Sequence, residues 1–409
     1  MPVRLTARCV RGLEWVLAAE VEHRFARYAA DDIRLSERQV SFEVPRLRTG
    51  LLELRTADDL LLVVGTLRGI DHTRAALPEL SRRLTRIDFD AALTQLEDVR
   101  TLPSRAPTFD VVASLLGRRN YNRYAVEDAA GDVIADMVGA RYASRNPNAG
   151  RRTGIGTAGA GTAADAADTD FTVRLSLNGD SVEIALRLPH RPLHRRPWKL
   201  DTGPGTLHPP LAAALVWIGS GTSPLRVLDP FCGDGTIAIE AALAFPEAKI
   251  LAADLDADRL RNARANAART AVAEHIQFVH ADAGDTASGS TASGPEPFDV
   301  LVTNPPWNRS VGASGALVDT LDPFWRRLPD SLTPDGRACT VTEAELDIPA
   351  RLLRMGYSVA LAQAIRLAGR VSHVVLAAPP GAAEPRLPAG LELWHERAIK
   401  AGIVSPDGF

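Results

Sequence analysis

The period of the hydrophobic positions changes along the chain. Residues 5–10 and 40–44 alternate as half-buried strands do, while residues 12–25 put Leu13, Val16, Leu17 and Val21 on one helical face. Residues 47–62 read as a helix and 61–67 as a returning strand. A second stretch gives a helix over 80–96, a strand over 109–115 and a helix over 128–142. Strands over 171–177 and 181–188 follow, joined by Asn178-Gly179-Asp180, a strong hairpin signal. From residue 207 the pattern becomes one of continuous apolar runs. A proline-announced helix over 207–218 leads to strands at 225–228, 249–253, 276–280 and 298–303, with helices over 236–245 and 256–270 between them. Asp256 is placed to cap the latter helix. A helix (316–328), a strand (337–342), a helix (347–353) and two strands (357–367, 371–377) complete the series, and a short helix over 393–401 ends it. Unbroken apolar strands alternating with helices predict a doubly wound α/β sheet, and the earlier mixture predicts α+β modules.

The expected division is 1–70 and 71–190 as two α+β modules, 191–206 as a basic linker, 207–380 as the α/β domain and 381–409 as a tail. Residues 154–167 are almost all Gly, Ala and Thr, and 285–297 are rich in Gly, Ser, Thr and Pro. Both read as loops.

Composition narrows the function classes. A chain of 409 residues with 45% apolar content supports more than one core. No apolar run approaches the ~20 residues needed to span a bilayer, and the first residues form no signal-peptide block. Cys9, Cys232 and Cys339 stand far apart, which argues against a disulfide framework or a zinc cluster. The expectation is a cytoplasmic protein without a metal. Net charge is −3, so nothing global points to nucleic acid. Locally, residues 187–199 (RLPHRPLHRRPWK) hold four arginines and a lysine with no acid. Two readings of this run stay open: phosphate contacts through Arg195, Arg196 and Lys199 beside a stacking tryptophan, or a solvated linker.

The chemistry is expected around residues 225–242, LRVLDPFCGDGTIAIEAA. A buried strand, a glycine turn and an apolar helix form the first half of a nucleotide-type unit, and the free N–H groups at the helix start suit an anion. Gly233 and Gly235 let backbone pass close to a ligand. Ligands of such sheets bind at the carboxyl ends of the strands. Four successive strands end at Asp229, Asp254, Asp282 and Asn304. Asp254 follows the turn by about twenty residues, where an acid accepts from ribose hydroxyls. This set fits S-adenosylmethionine and, in part, a nicotinamide dinucleotide, so Asp254 alone does not decide. Asn304-Pro305-Pro306-Trp307 separates the two. Two prolines stiffen the backbone. The Asn304 side-chain oxygen and the Pro305 carbonyl form a pair of acceptors for one exocyclic NH2, which positions a poorly nucleophilic aryl amine. Trp307 supplies a stacking face.

These residues resemble the THUMP-domain class I RNA methyltransferases, in particular the guanine-N2 type acting on tRNA, with relatives acting on 23S rRNA. DPFCGDGTIAIEAA is similar to that family's first motif and TNPPWNR to its fourth. SLNGDSVEIALRLPHRPLHRRPWK with GTLHPPLAAALV resembles its domain junction, and ARCVRGLEWVLAAEV its N-terminal ferredoxin-like module. The resemblance implies a Rossmann-like, seven-stranded, mostly parallel sheet with its last strand antiparallel, preceded by ferredoxin-like and THUMP-like modules. It implies S-adenosylmethionine as cofactor, bordered by Asp229, Phe231, Cys232, Gly233, Gly235, Asp254, Leu255, Asp282, Ala283 and Asn304. It also implies an RNA partner (tRNA, or rRNA) whose guanine enters at Asn304 to Trp307, with Arg309 nearby. Amino methylation of DNA adenine or of a protein amide stays open, as does a non-catalytic RNA-binding role. Asp234 stands where that family usually has serine and would add negative charge beside the cofactor's carboxylate. Trp307 replaces a usual tyrosine.

Overall fold

In a computed structural model, residues 2–103, 106–148, 169–221, 226–284, 296–307, 315–317, 319–367 and 369–405 are described. The loop expected at 154–167, most of that at 285–297, Leu225 and Arg309 lie outside them.

The N-terminal part is one sheet of eight strands: β1 (Val3–Arg8), β2 (Asp31–Ser36), β3 (Gln39–Val44), β4 (Asp59–Leu67), β5 (Thr108–Leu115), β6 (Arg141–Tyr142), β7 (Phe171–Asn178) and β8 (Ser181–Arg187). Their order is β2-β3-β1-β4-β8-β7-β5-β6. The boundary expected at residue 70 coincides with no break in this sheet. β4 pairs antiparallel with β8, Leu61 opposite Arg187, and so joins the two halves. Four elements differ from the pattern reading, among them the helix expected over 128–142, which runs Arg123–Val138 and ends at Gly139 in the left-handed region, leaving Arg141–Tyr142 to pair as β6. Residues 47–62 hold only a 3-10 turn, Thr49–Glu53, before β4. The apolar run Leu60–Leu62 is a central strand hydrogen-bonded on both sides, by β1 and β8, and that pairing overrides helical periodicity. Strand β2 is polar and at the edge, so no alternation marked it. The helix expected over 80–96 is two, Ala76–Leu84 and Phe89–Leu96. Asp88 caps the second by accepting from the Ala91 N–H at 2.9 Å.

The C-terminal part is a seven-stranded sheet built from β9 (Arg226–Asp229), β10 (Lys249–Asp254), β11 (Ile276–His280), β12 (Phe298–Thr303), β13 (Leu332–Glu343), β14 (Ser358–Leu367) and β15 (Arg370–Ala378). The order is β11-β10-β9-β12-β13-β15-β14. The pairs β9–β10, β10–β11, β9–β12 and β12–β13 are parallel, whereas β15 runs antiparallel to both neighbours, as expected of the last strand. From β9 the chain winds outward to β11, then returns to lay β12 on the other side of β9. The topological switch point therefore lies between Asp229 and Asn304, where such sheets open a crevice.

One contiguous buried cluster runs through both sheets, and it includes the helix Pro209–Ser220 that packs on the helix Thr236–Ala244. The Pro209–Ser220 helix is apolar all round because nearly all of it is buried. Polar ties reinforce the junction. Glu240, 1% exposed, accepts from Arg55 Nε and Nη2 at 2.8 and 2.6 Å and from Arg196 Nε at 2.9 Å. No helix among the described residues is long and apolar enough to cross a membrane.

Candidate active site

β9 delivers the chain to a turn that only glycine permits at two points. Gly233 and Gly235 have φ of 53° and 80°, in the left-handed region. Their missing Cβ atoms serve packing within the protein. A Cβ on Gly233 would lie 2.6 Å from the Arg259 guanidinium, and one on Gly235 would lie 3.0 Å from the Ala263 Cβ. The space that the sequence assigned to a ligand is thus partly held by the helix Ala257–Ala267. Gly235 is the N-cap of the helix Thr236–Ala244, and Cys232 N–H is tied to the Ala253 carbonyl at 2.9 Å.

The acids differ in station. Asp254 accepts from the Gly233 N–H at 2.8 Å and the Asp256 N–H at 2.9 Å, which locks it at the cleft edge with its remaining lone pairs available. Asp282 accepts from the Gly284 N–H at 2.7 Å and lies under Gly315, where a Cβ would approach it to 2.1 Å. Asp229 does not line the cavity. It is 1% exposed beneath the floor, and its Oδ1 accepts from the Thr303 hydroxyl at 2.8 Å. It therefore braces the strand that carries Asn304. Burial pushes its carboxyl up to about 7, against the opposing Thr303 hydrogen bond. Asp234 is also buried. Arg259 pairs with it at 3.1 Å, and Gly203 N–H and Asn262 donate to it, so its charge is neutralised within the protein.

A cavity of about 1190 Å³ opens at the switch point. That exceeds the ~300–1,000 Å³ of ordinary small-molecule pockets. The turn, Asp254 to Asp256, Asp282 and Ala283 line one side, with Leu255 39% exposed. Asn304 to Trp307 line the other, together with Leu367 and Arg370. Asn304 Oδ1 and Trp307 Nε1 are buried without a hydrogen-bond partner among the described residues. An unpaired buried acceptor costs on the order of 1–3 kcal/mol, so it marks a place where a donor is expected. Pattern reading did not reach His208, Leu367 or Arg370. His208 opens the helix Pro209–Ser220 at the cavity wall, and burial holds its imidazole down at about 3. The only sequence signal for it was the polar residue before Pro209-Pro210.

Part of the basic run is turned inward, while Arg191 and Arg195 are exposed. Arg196 is 7% exposed, and it donates to Glu240, the Leu193 carbonyl and the Arg55 carbonyl. Lys199 donates to the Leu207 carbonyl, and burial lowers it to about 8. Trp198 is 5% exposed. Arg196, Lys199 and Trp198 are therefore held within the junction, and among the described predicted cations Arg195 faces solvent.

Comparison with known proteins agrees with this cleft. Residues 196–371 match the UPF0020 family, described as an RMKL-like methyltransferase domain. The C-terminal sheet from β9 into β15 is thus similar to a methyltransferase domain. The chain is 33% identical over 238 residues to the tRNA (guanine(6)-N2)-methyltransferase of Thermus thermophilus, covering 58% of each sequence. It is 46% identical over 90 residues to the release factor glutamine methyltransferase of Chlorobaculum tepidum, covering 22% of this chain and 30% of that one. The chain thus spans less than two thirds of the curated relatives it matches. The crystal structure of TrmN from Thermus thermophilus superposes with a TM-score of 0.70 at 26% identity, covering 92% of this chain and 99% of that one. The methyltransferase domain has the class I fold, whose cofactor is S-adenosylmethionine. The glycine turn, the exposed Leu255 beside Asp254 and the unpaired Asn304 oxygen fit that cofactor and its acceptor.

Proposed function

We propose that this chain transfers the methyl group of S-adenosylmethionine to an exocyclic amino group of a base in RNA, N2 of guanine in tRNA. The observation that carries the reading is the buried, unpartnered Asn304 oxygen at the end of β12, followed by the stiff Pro305-Pro306 turn on the cavity wall. Asn304 and the Pro305 carbonyl accept the two N–H groups of the amine, which orients its lone pair and stabilises charge developing on nitrogen. Trp307 stacks on the base and fixes its plane. The cofactor, when bound, supplies the electrophilic methyl and leaves as the thioether. The amine nitrogen forms the new N–C bond and then releases a proton. Asp229, through Thr303, holds the clamp strand in place.

The similarity to TrmN extends across the N-terminal sheet, and this supports reading it as the ferredoxin-like and THUMP-like part that docks RNA by shape and phosphate. The similarity to a glutamine methyltransferase supports a second reading, because a glutamine amide offers the same NH2 to the same acceptors. Labelled methyl transfer from S-adenosylmethionine into total tRNA, rRNA, DNA and protein separates them. Label in tRNA as N2-methylguanosine is expected. Label only in protein would end the RNA reading.

A further inference from the structure

The terminal hairpin carries a cation that the clamp does not account for. β12 ends at Thr303, level with Thr340 on the neighbouring β13, and β13 continues three residues further to Glu343. On its other side, Glu343 stands opposite Ser372 of β15, which begins at Arg370. Arg370 thus enters at the ligand edge of the sheet, two strands away from Asn304, or roughly 10 Å at about 4.8 Å per strand. Its guanidinium folds back across that gap, since Nη1 donates to Glu343 Oε1 at 3.1 Å and Glu343 belongs to the strand in between. The Glu343 side chain is 6% exposed and that of Arg370 is 55% exposed, so a fixed carboxylate aims a solvent-facing fork. Arg370 and Leu367, the two ends of the hairpin turn, line the same cavity as Asn304 and Trp307. The remaining guanidinium nitrogens of Arg370 make no hydrogen bond among the described residues.

Resting on the guanine-N2 reading, we propose that Arg370 is a specificity-determining residue that reads the O6 and N7 acceptors of the target guanine, with Glu343 as its positioning residue. A guanine that hands its 2-amino group to Asn304 and Pro305 turns O6 and N7 to the far side of the ring. A guanidinium satisfies that pair of acceptors with two parallel N–H donors. Adenine presents an N6 donor in place of O6, and the fork rejects it. A contact to phosphate would use the same cation without reading the base.

The test uses the RNA transcript found to accept the methyl group, rebuilt by ligation with 2-aminopurine at the methylated position. This base keeps the 2-amino group and lacks O6. Wild-type enzyme should prefer guanine by about ten- to hundredfold in kcat/KM. Arg370→Ala should lose a similar factor on guanine and little on 2-aminopurine, with cofactor affinity unchanged. Arg370→Lys keeps the charge and loses the fork, so it should retain RNA affinity and lose most of the preference. Equal losses on both bases, with the salt dependence of RNA binding reduced by about one phosphate contact, would overturn base reading in favour of a backbone role. In that case guanine N2 would still be methylated and the parent reading would stand. Failure of wild-type enzyme to methylate any RNA would remove both.

Discussion

The cleft and the domain junction both looked functional along the chain, and the structure treats them in opposite ways. At the cleft, Asn304 Oδ1 is buried without a partner among the described residues. At the junction, both oxygens of Glu240 are taken up by Arg55 and Arg196. Buried polar groups are normally paired, so the Glu240 cluster is a satisfied piece of structure, although Trp198 Nε1 beside it has no partner among the described residues, whereas the Asn304 oxygen stands open on the cavity wall. Asp254, Asp282 and Asn304 line the cavity because the ends of parallel strands share one edge of the sheet. A run of arginines has no such constraint: Arg187 and Arg196 went to Asp59 and Glu240, and Arg191 and Arg195 stayed exposed.

The largest effects should fall on different properties in the two regions. Glu240→Ala leaves a buried arginine unpaired, and breaking such a pair costs about 3–5 kcal/mol. A urea titration should show that loss. A change under about 1 kcal/mol would mean that the ion pairs are incidental to the junction. Asn304→Ala should lower kcat for methyl transfer by about 10²–10³-fold, as the loss of one preorganised hydrogen-bonding partner does elsewhere. Cofactor affinity and folding stability should stay close to wild type, because the deleted oxygen bonds nothing in the free protein. Near-normal turnover in that variant would remove the clamp. The pair of variants crosses the comparison: one region unfolds without it, the other only stops working.

Much of the C-terminal sheet was legible because its strands are unbroken apolar runs closed by single polar residues, as in Val300–Val302 before Asn304. Asp254, Asp282 and the turn are where spacing put them. What spacing could not show was depth. Asp229 and Asp234 read as cofactor neighbours, but each is satisfied or braced from behind, by Thr303 and by Arg259. The glycines read as room for a ligand, and part of that room belongs to Arg259 and Ala263. The N-terminal sheet was less legible. Its edge strand Asp31–Ser36 has no apolar rhythm, and β4 is held by partners more than a hundred residues away as well as by β1. Arg370 escaped notice because its place in the cleft depends on an antiparallel strand entering from the far side of the sheet.

Asp229 offers a sharper test of that depth. Burial lifts its carboxyl to about 7, above the ordinary 3.8. Between those values the native state holds a proton that the unfolded chain has released. This group's contribution to stability is therefore full below about pH 4 and is lost as pH rises towards 7. Asp229→Asn should flatten that part of the profile, worth on the order of 1 kcal/mol per pH unit at most. Urea midpoints at pH 5 and pH 7.5 read the difference. Identical slopes in both proteins would place Asp229 in solvent contact after all.

The smallest effect expected comes from a predicted RNA-contacting cation of the basic run that faces outward. Arg195 is exposed, and its neighbour Arg196 is enclosed by Glu240 and two carbonyls. If the junction borders bound RNA, Arg195→Ala removes one phosphate contact. The slope of log affinity for tRNA against log salt should then fall by about one, with little change in stability. Arg196→Ala should do the reverse, since its nitrogens already have partners and no phosphate can displace the buried Glu240 without separating the two sheets. It should lower the urea midpoint and leave the salt slope of the folded fraction unchanged. A salt slope altered by Arg196→Ala and untouched by Arg195→Ala would mean that the run turns outward when RNA binds, and the contrast between a satisfied Glu240 cluster and an open cleft would fail.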